Sequence, residues 1–432
     1  MKLQKADVIN PFGGMNFVFE TLDQLDLNKI FEEYLPPLPS QSIYTWRDIL
    51  YSYFSIFFCG GDCIEDIDLN LKTYFENNVF INTPGPDCII RRFKELSLPI
   101  ELFQTKSGKV DHQFSINQKL NDLNLAVSKL LGVFEAEQGL TLDYDNTIIA
   151  TNKSDSKKTY KKVNGYQPGL ATIGNNVVYV ENRNGNSNAI ALQDQTLERA
   201  FSLLKKHEIE IENFRADAAS YKYELFLLLF KEVNNIYVSI PSRHIYAHLN
   251  GVQDWQVFER KDGTQSYVGE VNMVPFIQQA VRSKQKHLLR ECRLVITKRK
   301  NKNGQTNLLT GDDFEYHGII TTDFKNTAEH VMRFYHQRGA MENRIGILKN
   351  DFGWAKLPFS KLEFNTVPLI LGGLCNNIYN YIIKHYSEKV SQLDPAFRIK
   401  KFLFRFIILP TKWIRRGRQH ILKVYGSVNF QT

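Results

Sequence analysis

The sequence predicts an α/β protein, preceded by a helical unit and interrupted by a β-rich insertion; three changes of pattern carry the prediction. Residues 1–135 have helical spacing, with breaks at Pro36-Pro37, Gly60-Gly61 and Pro84-Gly85-Pro86. From Leu140 the period shortens to that of strands, then alternates helix, strand, helix, strand up to Ile240. Between 241 and 316 short alternating runs and turns follow one another before helical spacing returns.

In the first unit, Phe17 to Tyr34, Thr45 to Phe58, Ile64 to Phe75 and Asp87 to Leu96 read as helices. The turn at 83–86, the acidic cap Asp87 and the cations Arg91, Arg92 and Lys94 suit the second helix of a helix-turn-helix, with plain packing as the alternative. Leu140 to Ile149 alternates as a half-buried strand, which puts Asp143 and Asp145 on one face. A polar loop holding Lys157 to Lys162 (KKTYKK) follows, then a hairpin around Gly174-Asn175-Asn176. Gln193 to His207 is an amphipathic helix, Ile209 to Asp217 a strand ending on an aspartate, Ala218 to Glu232 a helix and Ile236 to Ile240 a strand. In the insertion, Trp255 to Arg260, Gln265 to Val274 and Arg293 to Lys300 alternate, with hairpin loops at 261–263 and 301–304. Phe364 to Tyr386 is an apolar helix that Gly372-Gly373 should break. The units are therefore expected at 1–135, 136–240, 241–316, 317–360 and 361–432, the last basic and helical.

The 432 residues are too many for one ordinary core, and 43% hydrophobic with 23% charged residues is a globular balance. No apolar run reaches the roughly 20 residues needed to cross a bilayer, and the N-terminus lacks a signal-peptide core, so a cytoplasmic protein without membrane contact is expected. Five scattered cysteines, with Cys59 and Cys63 the one close pair, read as free thiols. No glycine-rich phosphate loop is present, which excludes common ATP-using classes. Net charge is +8, yet residues 1–100 hold 8 Lys/Arg against 14 Asp/Glu. The basic character is concentrated in Arg282 to Lys302, nine cations against Glu291, and in Lys384 to Thr432, eleven against two, including Arg415 and Arg416. Such clusters suit a polyanion, because each neutralised phosphate releases counterions.

The stretch 328–349 concentrates the chemistry. Wound as a helix at about 100° per residue, it places Tyr335, Arg338, Glu342 and Lys349 within a sector roughly 60° wide. Phe334, Met341, Ile345, Leu348 and Phe352 form an adjoining apolar stripe that would hold the polar one against a core. Asp143 or Asp145 on one strand, Asp217 at the end of another and Glu342 on this helix are carboxylates from three elements, the oxygen donors that hard divalent cations require. Trp354 and Trp255 are candidate stacking faces for an unpaired base, with structural burial as the alternative.

These residues resemble a family. Tyr335, Arg338, Glu342 and Lys349, at spacings of three, four and seven, resemble the Y-R-E-K signature of bacterial insertion-sequence DDE transposases. Arg215-Ala216-Asp217-Ala218 is similar to that family's block around the second acid, and Leu142-Asp143-Tyr144-Asp145-Asn146-Thr147 to the block around the first. The chain looks most like the insertion-sequence-thirteen-eighty branch of the IS-four-like superfamily. The resemblance implies an RNase H-like catalytic core with the insertion placed before the glutamate helix. It implies Mg²⁺-dependent cleavage at element ends, with Mn²⁺ able to substitute, and cut-and-paste strand transfer. Asp145, Asp217 and Glu342 would then be the catalytic, metal-binding acids; Asp145 is favoured as the first acid by its similarity to a D-x-T block, with Asp143 kept as a candidate. Tyr335, Arg338 and Lys349 would grip phosphates, and double-stranded DNA, as terminal inverted repeats and target, would be the partner of a homodimer. A nuclease of the same core without strand transfer, and an inactive DNA-binding descendant, are the alternatives.

Overall fold

The computed structural model describes residues 3, 8–104, 108, 110–135, 139–259, 263–301, 306–307 and 310–426. Of the expected hairpin loops, 261–262 and 302–304 lie outside these residues. Helices α1 (Gly14–Gln24), α2 (Leu27–Tyr34), α3 (Trp46–Phe58), α4 (Lys72–Phe75) and α5 (Pro86–Glu95) come first, with a π-turn at Ile67–Leu71. Thr45 and Asp48 close a reciprocal capping box at the start of α3. The unit expected to be mostly helical then yields two strands, β1 (Glu101–Gln104) and β2 (Asp111–Ser115), before α6 (Gln118–Leu130). These strands lacked a clean apolar alternation; pairing with the main sheet makes them strands.

The middle of the chain runs β3 (Thr141–Asn146), β4 (Ile149–Ala150), β5 (Lys157–Lys158), β6 (Asn164–Tyr166), β7 (Gly169–Ile173), β8 (Asn176–Arg183), α7 (Gln193–Lys206), β9 (Asn213–Ala216), α8 (Tyr223–Glu232) and β10 (Asn235–Ile240). Next come α9 (Ser242–Tyr246), β11 (Gln256–Glu259), β12 (Gln265–Met273), α10 (Ile277–Arg282), β13 (Cys292–Lys300) and β14 (Phe314–Thr321). Among the described residues the main sheet has eleven strands, in the order β1-β2-β8-β7-β3-β9-β10-β14-β13-β12-β11. Strands β3, β9 and β10 are parallel neighbours, and β7 and β8 run antiparallel to their neighbours. The insertion strands do not form a sheet of their own, since β14 pairs antiparallel with β10 and carries the sheet onward.

The chain ends with α11 (Ala328–His336), α12 (Ala340–Asp351), α13 (Leu362–Ser387), α14 (Ile399–Phe402), β15 (Thr411–Arg416) and β16 (Gln419–Val424). Helix α13 is continuous through Gly372-Gly373, where a break was expected. Both glycines serve close packing instead: a Cβ on Gly372 would lie 2.6 Å from the Phe352 carbonyl oxygen, and one on Gly373 2.9 Å from Val177. The C-terminal region, expected to be helical, contains the β15–β16 hairpin, with Arg415 and Arg416 at its exposed end. Trp413 seats the hairpin on the N-terminal helices, through Asn16 Oδ1 at 3.0 Å and the ring of Phe80.

The N-terminal helices share one core with α6, α12 and α13 rather than closing on themselves. A second core, on the other face, joins β3 to α7, α8 and the inner insertion strands. Strand β8 pairs with β2 only at Asn182 and Arg183, so its earlier backbone groups would be buried and unpaired. Asparagines satisfy them: Asn377 accepts from Val177 N at 2.8 Å and donates to Val177 O at 2.7 Å, while Asn121 does the same for Val180 at 2.9 and 2.8 Å.

Candidate active site

Alternation along β3 buries Leu142 and Tyr144 in the second core and turns Asp143 and Asp145 to the opposite face, as the period of two requires. The two aspartates have different surroundings. Asp143 is 1% exposed and lies opposite Arg215 in the parallel pair of β3 with β9. Arg215 donates Nε to Oδ1 at 2.7 Å and Nη2 to Oδ2 at 2.8 Å, and Arg344 of α12 adds Nη1 to Oδ2 at 2.9 Å. Three donors from two guanidiniums thus occupy this buried carboxylate, unlike that of Asp145.

Asp145, one pleat further on, stands at the open end of the strand with its side chain 18% exposed. One oxygen accepts from Asn146 N at 2.8 Å; the other faces Arg338 Nη2 at 2.9 Å. Its carboxyl is pushed up to about 6, first by burial and then by the charges of Asp217 and Glu342, against the pull of Arg338. Asp217 follows β9, the strand next to β3, and accepts from Ala219 N at 3.1 Å as the cap of a short turn. Glu342 sits in the first turn of α12, exposed.

The expected single helix over 328–349 is two helices, α11 and α12, joined by a 3₁₀ turn at Gln337–Gly339 that carries Arg338. The backbone stays in the helical region, so Tyr335, Arg338 and Glu342 still face the strand ends. The apolar stripe holds them there: Met341, Ile345, Leu348 and Phe352 are buried in the first core, and Phe334 packs on Tyr237. Tyr335 donates its hydroxyl to the carbonyl of Ala216, next to Asp217, at 3.3 Å. Lys349 donates Nζ to Ile148 O at 2.8 Å, and burial, with Lys161 close by, lowers its pKa. Arg338 is largely buried, yet its Nε and Nη2 have no aligned hydrogen-bond acceptor. Buried, unsatisfied guanidinium donors beside carboxylates suit an anion brought to the site.

Four of the residues picked as DNA contacts are placed differently from one another. Trp354 is fully buried, and its indole N–H goes to Leu369 O at 3.0 Å, so it has no face to offer a base. Arg92 is 5% exposed and spent on Glu95 at 2.6 Å within its own helix, whereas Arg91 is exposed. Trp255 is half-buried under Lys298, whose Nζ lies 4.1 Å from the ring centre. Residues that sequence reasoning did not single out, Arg344 and Thr172, complete the Asp143 network. Arg344 lies two positions past Glu342, a spacing that gave no signal without the tertiary fold. Among the described residues, Asp62, Cys63 and Asp66 are the only three potential metal ligands within 4.8 Å of one another. Asp66 already accepts from the backbone N–H groups of Asp62 and Cys63 at 2.9 and 3.2 Å. No helix among the described residues is long and apolar enough to cross a membrane.

Asp145 ends one and Asp217 follows the other of two adjacent parallel strands, and the charge of Glu342 on α12 is felt at Asp145. The model of the family described as Transposase DDE domain group 1 matches residues 110–428, and the chain belongs to that family. Among solved structures, it is similar to the piggyBac transposase in a cryo-EM synaptic complex with hairpin DNA, at 12% identity and a TM-score of 0.44, over 93% of this chain and 80% of that one. No curated protein matches the chain.

Proposed function

We propose that this chain is an insertion-sequence transposase of the Y-R-E-K type that cleaves DNA at its element's terminal repeats and joins the freed ends to target DNA by cut and paste. Supporting an RNase H-like reading of the core is the strand order β8-β7-β3-β9-β10, with the last three parallel. The observation that carries the proposal is Asp145 paired with Arg338 at 2.9 Å, near enough to Asp217 and Glu342 for their charges to raise its pKa, beside an Arg338 Nε that is buried without an acceptor. All three acids offer oxygen alone, with no histidine or cysteine among them, which fits Mg²⁺, or Mn²⁺ in its place. They are the residues that would hold it. When bound, such ions supply the charge that activates a water or 3′-hydroxyl and stabilises the departing oxygen.

The chain's own residues do the rest. Arg338 presents two donors to the oxygens of the reacting phosphate, Tyr335 is aligned by the Ala216 carbonyl, and Lys349 grips the strand beyond. Asp143 orients: through Arg215, which also donates to Phe334 O at 2.8 Å, and through Arg344, it ties both sides of the 3₁₀ turn to the sheet. Arg91, Arg415 and Arg416 extend the DNA contact, and two copies of the chain hold the two ends. The test is an assay of DNA fragments bordering the reading frame. Metal-dependent nicking followed by joining of a pre-cleaved 3′ end supports transposition. Nicking without joining supports a nuclease, and binding without nicking an inactive descendant.

A further inference from the structure

The short strands β4, β5 and β6 form a separate three-stranded sheet that leaves the main one directly after the Asp145 strand. Its tip carries Lys158, Tyr160, Lys161 and Lys162, all exposed, with Tyr160 at 67%. Among the described residues none of the three lysines pairs with a carboxylate. Asp155, the one acid in the loop, is turned inward to the Tyr166 hydroxyl and to Leu362 N. Like charges gathered on a tip repel one another, so an arrangement without acids fits a polyanion better than it fits water alone.

The tip is also held rigidly. Buried Thr159 uses both its backbone N–H and its hydroxyl on Val163 O, at 2.8 and 2.9 Å, and Lys162 N donates to Thr159 O at 2.9 Å. Lys162 adopts φ +63, a conformation that most residues avoid. At the base, Lys157 N donates to Asn184 Oδ1 at 2.8 Å, Asn184 Nδ2 to Asp155 O at 2.8 Å, and Ser154 to Ser360 O at 2.8 Å. The tip's sheet begins at Ile149, four residues past Asp145, and the charge of Lys161 helps lower the Lys349 pKa. Lys349 in turn is bonded to Ile148, three residues after Asp145.

We propose that this tip is a second grip on the reacting DNA: Lys161 and Lys162 bind backbone phosphates next to the one held by Lys349, and Tyr160 stacks on an unpaired base where the strand opens. It rests on the reading of the chain as a transposase. An exposed aromatic ring flanked by cations is the combination that binds single strands without sequence preference. With Trp354 buried, Tyr160 is an accessible ring on this side of the site.

The test uses the full chain, without divalent metal, and a DNA duplex with a short unpaired 3′ tail carrying a fluorescent aminopurine at the junction. For the double variant K161A/K162A, the slope of log affinity against log salt should fall by about 1.4 to 1.8, the loss of two phosphate contacts. For Y160L the slope should stay as in the wild type while the stacking quench of the aminopurine disappears. Wild-type slope and wild-type quench in these variants overturn the inference and leave the transposase reading standing. A wild-type chain that binds this DNA with no salt dependence overturns both.

Discussion

Arg215 holds Asp143 by two parallel hydrogen bonds, 2.7 and 2.8 Å, across the parallel pair β3–β9, and the carboxylate is 1% exposed. Because Arg344 shares the same acid, removing it strands two nearly buried cations. Asp143→Ala should therefore cost about 3–5 kcal/mol of stability in denaturant unfolding. Asp145→Ala, at the open site, should cost far less. Equal losses would mean that the two aspartates are not divided into a positioning and a reacting role.

The Asp145 carboxyl, pushed up to about 6 from 3.8, gives a pH signature with a definite sign. Between those values the folded chain keeps a proton that the unfolded chain has released. Its contribution to stability is thus present below 3.8 and lost as pH rises through about 6. Asp145→Asn removes that loss, so in metal-free buffer the variant should gain stability relative to wild type from pH about 4 to about 7. A difference independent of pH would place Asp145 outside the acidic cluster.

Arg338 Nη2 faces Asp145 at 2.9 Å while its buried Nε has no hydrogen-bond acceptor. Lysine keeps the charge but cannot present two donors in one plane. Arg338→Lys should reduce DNA cleavage by about ten- to a hundredfold with little change in DNA affinity. A loss confined to affinity would assign Arg338 to general DNA contact.

Asn377 is the single side chain that satisfies both backbone groups of Val177 on the buried edge of β8. Asn377→Ala leaves the buried Val177 N–H without an acceptor, while Val177 O keeps Asn124 Nδ2 at 2.8 Å. Thermal unfolding should report a loss of about 1–3 kcal/mol, whereas Asn380→Ala, half-buried on the same helix and orphaning no buried N–H, should report less.

How far the sequence was legible follows from where each signal lies. The period of two in β3 put both aspartates on one face, and the spacing of Tyr335, Arg338 and Glu342 survived the 3₁₀ turn because its backbone angles stay helical. The split between Asp143 and Asp145 was not legible, since it depends on Arg215 and Arg344 arriving from β9 and α12. Nor was the burial of Trp354, which requires the bare backbone of Gly372 beside its ring. Strands β1 and β2 and the terminal hairpin were missed because pairing with distant segments, rather than local alternation, defines them. The continuity of α13 was missed because a Gly-Gly pair reads locally as a break and in the fold as a packing surface.

The central claim is that Glu342, Asp145 and Asp217 together hold the ions that drive cleavage. It is tested most directly by Glu342→Gln, which removes a charged ligand at an exposed helix position and should leave the fold intact. The measurement is Mg²⁺-dependent nicking of DNA that borders the reading frame, alongside binding of the same DNA. The expected result is wild-type binding with nicking reduced by several orders of magnitude. Nicking at the wild-type rate in that variant would contradict the assignment.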